Sequence, residues 1–507
     1  MTQRLFLCIL SASLLAAPFL FPPFFPLAWV AFVPLFRAIE QAPDIRRAAF
    51  LGWITGFAAH LLGFYWLVHT ISVFGEFSYP ISSVVFLVYA ALQGIHMTLF
   101  AMLVKRFGHG PLAVFPALFW IVLEFWFPFL FPWYLASSQV LFASFIQSAD
   151  LVGPFGASFV MMWANSALYA TVFGYRRNRQ IVWQPAVVIA LLIVGSVVYG
   201  FIRLGTIEGQ MALAPKLSVI AVQGNIDIDL KWDPKRAKQN LEVYRNLTQQ
   251  TGGVTLVIWP ETSIEEWVPE TLLQLPPEVM PPLHPATSGF IFGAKSFQGK
   301  PGSRDFKAFN TAFLTDAEGR ILERYHKQVL LAFGEYIPFS ALLSKLPAMP
   351  FSDGFTPGEG PRTFNLSAGQ RIAPLICYED LMPQLSREFV KEAKANLLVN
   401  LTNDAWYGRT AAPWQHSRLA QWRAIETRRS LLRVTNTGVT VLINAKGEMG
   451  DPLPIFTPAV LAAGVDLLEG ETFYVRFGDW FAWGATLIAM GLILFLWKKT
   501  GQTGHTG

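Results

Sequence analysis

Seven long apolar stretches crowd into the first 205 residues, and an eighth stands at 479–497. A helix needs about 20 predominantly apolar residues to cross the hydrocarbon core of a bilayer. Inside that core every backbone polar group must be satisfied within the helix itself. On this basis 5–21, 24–39, 49–71, 80–104, 111–130, 156–175, 183–203 and 479–497 read as eight spans of a polytopic α-helical membrane domain. The first two are short and separated only by Pro22 and Pro23, so a tilted hairpin is expected. Segment 5–21 shares a positive residue (Arg4) and an apolar core with cleaved leaders, but no convincing small-residue cleavage site precedes the second span, and retention is expected. Only 14% of residues are charged and 53% are hydrophobic, against roughly 25% charged in an average soluble chain. That composition excludes a disordered chain and argues against a wholly soluble one.

Lysines and arginines orient the spans. With a cytoplasmic N-terminus, Arg46, Arg47, Lys105, Arg106, Arg176, Arg177, Arg179, Lys498 and Lys499 all fall on the cytoplasmic side. The turns at 72–79 and 131–150 hold neither residue. This is the positive-inside bias. The expected organisation is a membrane domain at 1–205 with seven spans, a soluble domain at 215–470 outside the cytoplasm, and the eighth span at 479–497. In a bacterium the soluble domain then lies on the periplasmic side of the inner membrane.

Within 215–470, β-branched runs alternate with helical patterns. Strands are expected at 217–222, 255–258, 289–293, 311–315, 372–376, 396–399, 431–435 and 439–444. Asp233-Pro234 has the form of a helix cap and first helical position, and a second helix is expected at 414–429. The alternation argues an α/β or layered α-β domain. Two cysteines, Cys8 and Cys377, cannot make a disulfide framework. There is no CxxC, HExxH or Walker lysine loop, so no common metal or nucleotide signature supports those readings, and no nucleic-acid partner is expected.

Three groups stand at strand ends: Glu261 in Trp259-Pro260-Glu261, Cys377 in Ile376-Cys377-Tyr378-Glu379-Asp380, and Lys327 before Phe333-Gly334-Glu335-Tyr336. Taken singly each has a bland reading. A buried cysteine is usually inert core, a lone lysine is usually solvated, and a glutamate after proline is usually a turn residue. Together, and in this order, they resemble the nitrilase or carbon-nitrogen hydrolase superfamily. Asn403-Asp404-Ala405-Trp406-Tyr407-Gly408, Gln415-His416, Arg423-Ala424-Ile425-Glu426 and Asn436-Thr437-Gly438 fit the same pattern. With the spans, and with Gln223-Gly224-Asn225, Lys231-Trp232 and Phe64-Tyr65-Trp66-Leu67, the chain looks like the apolipoprotein N-acyltransferase branch.

The resemblance implies an α-β-β-α sandwich carrying a Glu261-Lys327-Cys377 triad. Glu261 would be the general base, Cys377 the nucleophile, and Lys327 with the backbone N–H of Tyr378 the oxyanion site. Glu335 would orient the lysine or help proton transfer, and Glu379 would support the nucleophile loop. It also implies a phospholipid acyl donor, a Cys377 thioester, a diacylglyceryl apolipoprotein acceptor, and a monomer needing no cofactor. Trp232, Trp267, Tyr336 and Asn403 are the expected substrate contacts. The apolar loops at 264–283 and 338–355 would act as lipid-guiding lids or else pack on the core. Two departures stand out. Ala332 replaces the family's usual proline, and Glu124 lacks the arginine that often follows it, leaving either a functional intramembrane carboxylate or a hydrogen-bonded structural one. A membrane-tethered amidase would use the same triad without explaining the spans. A transporter or assembly factor would need paired charges beside Glu124, His60, His69 and His96.

A reporter fused after Ala214 is expected to be active only when it functions in the periplasm, and one after Arg177 only in the cytoplasm. The reverse pattern overturns the orientation.

Overall fold

A computed structural model describes residues 1–178, 183–250, 252–303, 305–336, 354–366 and 369–502. Most of the expected 338–355 lid therefore lies outside the described residues. The chain divides into two compact units. One comprises Met1–Val68, Ser78–Gly205 and Phe477–Gly507, and the other His69–Phe77 and Thr206–Arg476.

The first unit is helical. Five helical segments are long and apolar enough to cross a membrane: Thr2–Leu20, Pro22–Glu40, Tyr79–Phe107, Ala149–Phe173 and Gln184–Leu213. The pair Ile45–Gly63 and Leu67–Gly75 makes a sixth if it is one span bent by 69°. Pro111–Trp126 and Trp480–Leu496 are apolar but shorter. The bend follows Gly63, where an added Cβ would lie 2.6 Å from the Trp133 ring, so only glycine admits that ring so close. Glu124 is buried and accepts from Trp120 Nε1 (3.1 Å) and the backbone N–H of Leu135 (2.7 Å), which ties its helix to the following loop. His60 and His96 each bond a carbonyl of a nearby residue, Gly56 and Gln93, through Nδ1. These are the contacts of structural polar groups, not of a charge path.

The second unit is built on two sheets. Strands β1 (Lys216–Gln223), β2 (Leu256–Ile258), β3 (Ile264–Pro269), β4 (Gly289–Gln298), β5 (Lys307–Thr315), β6 (Ile321–His326) and β12 (Ala459–Asp466) form the first, ordered β12-β1-β2-β4-β5-β6 with β3 also on β4. Strands β7 (Phe364–Asn365), β8 (Arg371–Ile376), β9 (Leu397–Thr402), β10 (Ser430–Thr435) and β11 (Val441–Ile443) form the second, ordered β11-β10-β9-β8-β7. Alternation along β1 and β2 explains the layering. Leu217, Val219, Ala221, Leu256 and Ile258 enter a core shared with Leu375, Leu398 and Leu432 of the second sheet. Ile220, Val222, Val257 and Trp259 face the other way, onto Tyr244 of helix α1 (Ala237–Gln249). Helices α2 (Pro383–Lys391) and α3 (Ala412–Thr427) add Leu385, Phe389, Ala420 and Ala424 to the first core. The result is an α-β-β-α sandwich.

Asp233 does not cap α1. Its Oδ1 accepts from the backbone N–H of Lys235 (3.0 Å) in a turn, and the helix begins at Ala237. The expected 264–283 lid is also mostly core: Val268, Leu275 and Val279 are buried, with Leu272, Met280 and Leu283 packed on them. Trp267 and Leu273 remain exposed.

A buried charge network binds the carboxyl ends of the second sheet to α3. His416 bonds Asp380 through Nε2 (2.8 Å) and Asp404 through Nδ1 (3.1 Å), while Arg433 reaches both carboxylates. Burial opposes a charged His416, but Asp380 and Asp404 outweigh it and raise the imidazole to about 9. A folded-state pKa above the unfolded value means that the stabilisation is complete below about 6.5 and is lost as pH rises through about 9. Thermal melts of the detergent-solubilised protein should therefore fall across that window. His416→Gln should melt lower at pH 6 and show a flatter profile.

Candidate active site

The ends of β2, β6 and β8 bring Glu261, Lys327 and Cys377 together, the first two buried and Cys377 partly exposed. Glu261 follows β2 after Trp259-Pro260, and Gly293 of β4 lies beneath it. A Cβ at Gly293 would sit 2.7 Å from Glu261 Cα, so glycine is what lets this loop close on the sheet. Lys327 follows β6, and its backbone N–H bonds Asn310 O at 2.9 Å. Cys377 opens a turn after β8 with φ +52°, and Asn400 Nδ2 holds its carbonyl at 2.9 Å. A left-handed non-glycine residue costs roughly 1–2 kcal/mol, and that cost is tolerated here because the turn projects the thiol off the strand end.

One ammonium serves two carboxylates. Lys327 Nζ lies 2.7 Å from Glu335 Oε2. Asn310 Nδ2 donates to Glu261 Oε1 (2.8 Å) and Glu335 Oε1 (3.0 Å), so the two acids share one amide. The backbone N–H of Leu331 adds a bond to Glu335 Oε2 (2.8 Å). Burial raises the Glu261 carboxyl; Lys327 pulls it back and Glu335 pushes it up again. Burial alone would push Lys327 down, but the carboxylates of Glu335 and Glu261 outweigh it and raise it, and it stays an ammonium. Burial and the Glu261 charge push the Cys377 thiol up against the opposing pull of Lys327. A thiol that is protonated at rest needs a base to become a nucleophile. Glu261, raised by burial, is suited to take that proton.

Glu379 fastens two loops together. Its Oε1 accepts from Tyr325 Oη (2.9 Å) and from the backbone N–H groups of Gln328 (2.7 Å) and Val329 (3.1 Å). Its Oε2 accepts from the N–H of Ile376 (2.8 Å). The Lys327 loop and the Cys377 turn thus hang on one side chain. Tyr378 is buried, and both Lys327 and Tyr336 act on its phenol.

The expected substrate contacts divide. Trp232 and Trp267 are 37% and 45% exposed, and Tyr336 is 41% exposed. Trp232 lies 6.1 Å from Trp406, which stacks on Phe74 at 3.8 Å, and Trp267 lies 6.3 Å from Phe355. These rings form an apolar wall. Asn403 is not on it: the side chain is buried, and its Oδ1 accepts from Asn436 Nδ2 (3.0 Å) and the N–H of Ala405 (3.4 Å). Asn310 escaped the sequence reading. Its signal was an asparagine, a residue depleted from strands, inside the otherwise apolar run Ala308-Phe309-Asn310-Thr311-Ala312-Phe313.

The description "Apolipoprotein N-acyltransferase N-terminal domain" matches residues 11–167, and "Carbon-nitrogen hydrolase" matches 218–472. The apolipoprotein N-acyltransferase of Geobacter metallireducens is 35% identical over 500 residues, covering 95% of this chain and 94% of that one. The chain belongs to the apolipoprotein N-acyltransferase family. The family's proteins from Azotobacter vinelandii and Pseudomonas paraeruginosa are 33% and 30% identical, covering 92% and 96% of this chain and 90% and 93% of their own lengths. The carbon-nitrogen hydrolase match takes in Glu261, Lys327, Glu335 and Cys377 alike.

Removing the Glu379 carboxylate would strand three backbone N–H groups, each costing about 1–3 kcal/mol when left buried and unpaired. Glu379→Ala is expected to lower the melting temperature and to slow alkylation of Cys377 by a small thiol reagent. Glu379→Gln, which keeps one acceptor oxygen, should lose less on both measures. Equal melting temperatures for all three proteins would show that the clamp does not hold the loops.

Proposed function

We propose that this enzyme moves an acyl chain from a membrane phospholipid, through a Cys377 thioester, to the α-amino group of the N-terminal diacylglyceryl-cysteine of lipoproteins. The observation that carries the chemistry is the buried cluster of Glu261, Lys327 and Glu335 beside the partly exposed Cys377. The relatives named apolipoprotein N-acyltransferase support the substrates.

In the first half-reaction Glu261 takes the thiol proton as Cys377 Sγ attacks the ester carbonyl. The oxyanion is held by Lys327 Nζ and the backbone N–H of Tyr378. As the tetrahedral intermediate collapses, Glu261 returns the proton to the glyceryl oxygen, and a lysophospholipid leaves. In the second, the free amine attacks the thioester, Glu261 accepts its proton, and the Cys377 sulfur departs to be reprotonated. Removing one oxyanion donor typically costs about a hundredfold or more in rate. Glu335 positions the lysine, and Glu379 holds the loops. Trp232, Trp267 and Tyr336 offer the apolar wall to the lipid, with Asn403 supporting it from behind. No metal or cofactor enters the scheme.

The setting follows the same reading. The chain acts as a monomer in a bacterial inner membrane with eight spans, the bent pair and two shorter helices included. Its 215–470 domain faces the periplasm.

Incubation with phospholipid alone should leave Cys377 carrying a hydroxylamine-sensitive acyl mass. A diacylated lipopeptide should discharge it to the triacylated form with ping-pong kinetics. Lys327→Ala and Lys327→Arg should both insert and fold yet lose at least about a hundredfold in charging, since arginine does not reproduce the lysine's size or donor geometry. Release of free fatty acid at one rate with or without lipopeptide would replace this reading with an amidase-like hydrolase.

A further inference from the structure

Lys295 stands next to the catalytic cluster although nothing in its own sequence neighbourhood says so. In the antiparallel pair β4–β5, Lys295 is the cross-strand partner of Asn310, and Gly293 is that of Ala312. Directly paired residues project from the same face of a sheet. Lys295 therefore shares its face with the Asn310 side chain that bonds Glu261 and Glu335, and with Gly293 beneath Glu261.

Two tryptophans receive its ammonium. Lys295 Nζ lies 3.7 Å from the centre of the Trp232 ring and 5.7 Å from that of Trp267. Trp267 reaches this position because β3 breaks register on β4 between Ile264 and Val268. Both rings are partly exposed, so the ammonium sits at the mouth of the cluster. The acid that acts on Lys295 is Glu265, which also acts on Lys231 and accepts from Asn240 Nδ2 at 2.9 Å. Burial pushes Lys295 down to about 8, so its charge is not fully compensated by the protein. Ring faces hold a cation without consuming its N–H donors as a carboxylate would. Such an ammonium is prepared for an incoming anion.

The anion can be named by its chemistry. A glycerophospholipid with a headgroup carries a phosphodiester, one glycerol length from an ester that Cys377 would attack. A diacylglyceryl-cysteine carries none. We infer that Lys295, framed by Trp232 and Trp267, seats the phosphodiester of the acyl donor, and so selects the donor in the charging half-reaction. This rests on the acyl-transfer reading above and adds to it a residue that chooses the substrate.

The test uses the full-length protein in detergent micelles and reads the initial rate at which Cys377 gains an acyl chain. Phosphatidylglycerol is compared with diacylglycerol, a neutral ester of the same chains without phosphate. Wild type should prefer the phospholipid. Lys295→Met, which keeps the length and removes the charge, should shrink that preference by at least about tenfold, and Lys295→Arg should retain most of it. An equal slowing on both donors would overturn the seat and leave Lys295 a support for the Trp232 wall. If inorganic phosphate instead alters diacylglycerol charging in wild type but not in Lys295→Met, while the donor preference is the same in both, the site binds free phosphate and the lipid assignment falls. A wild type that gains no acyl mass from either donor would overturn the acyl-transfer reading itself, and the seat with it.

Discussion

Lys327 is the charge around which the catalytic unit is arranged. Glu261 and Glu335 are close enough to share one amide of Asn310, and both are largely removed from water. Two carboxylates at that separation cannot both ionise without a cation nearby. One ammonium supplies that, but only one, so the cluster of two acids and a lysine keeps an excess negative charge while the thiol is protonated. The excess falls on Glu261, which lacks the direct ion pair that Glu335 makes. That asymmetry gives the two glutamates different tasks with the same chemistry. Glu335 fixes the lysine, and Glu261 is left basic enough to receive a proton. Moving the thiol proton to Glu261 relocates charge within the cluster without adding any, which a poorly solvated site can tolerate.

The backbone around the cluster is strained where the reacting groups emerge. Cys377 (φ +52°), Thr262 beside Glu261 (φ +46°) and Phe333 in the Lys327–Glu335 loop (φ +66°) all lie in the left-handed region. Such residues persist when surrounding bonds over-determine them. Those bonds are present: Asn400 on the Cys377 carbonyl, the four donors on Glu379, and the bond from Phe333 N–H to Tyr336 O at 2.7 Å. Beneath Cys377, the His416 network anchors Asp380 and hence the far end of the same turn. The Cys377 turn is therefore held at both ends by buried carboxyl groups, from the lysine side through Glu379 and from the helix side through Asp380.

Strands buried on both faces were the most legible elements. β1, β2, β8 and β10 read as short β-branched or aliphatic runs because both faces meet apolar layers. β3, β6 and β12 were missed for the opposite reason. β3 carries Glu265 and Glu266 and β6 carries Glu323 and Arg324, so neither shows a clean apolar pattern, while β12 is a small-residue run, Ala459–Asp466, that is largely half-exposed. The Asp233-Pro234 signal failed because its side chain closes a local turn before any helix begins. Glu261, Lys327 and Cys377 were legible as motifs at strand ends, and each does follow a strand. Their supports were not, because Asn310 reaches Glu261 across 49 residues and Glu379 reaches Gln328 across 51. Among the apolar stretches, hydropathy marked where helices lie but not where they break. The 69° bend follows Gly63, which packs against Trp133, a contact that no local window contains.

Lys295 shows the same limit most sharply. Its neighbours Gly293-Ala294-Lys295-Ser296-Phe297 look like any strand with a solvated lysine. Its meaning comes from register alone. A one-residue slip of a strand sends every side chain to the opposite face, and would remove Lys295 from the face it shares with Asn310 of β5. The alternate face is already committed: Ser296 Oγ bonds Thr311 Oγ1 at 2.6 Å, and Thr311 Oγ1 bonds His326 Nδ1 at 2.9 Å. That polar chain locks β4, β5 and β6 in one register. The same lock that brings Lys327, at the end of β6, to Glu335 also brings Lys295 to the mouth of the site. Two cations in different settings then arise from one hydrogen-bonded sheet: Lys327 sealed against a carboxylate, and Lys295 held on the partly exposed faces of two tryptophans.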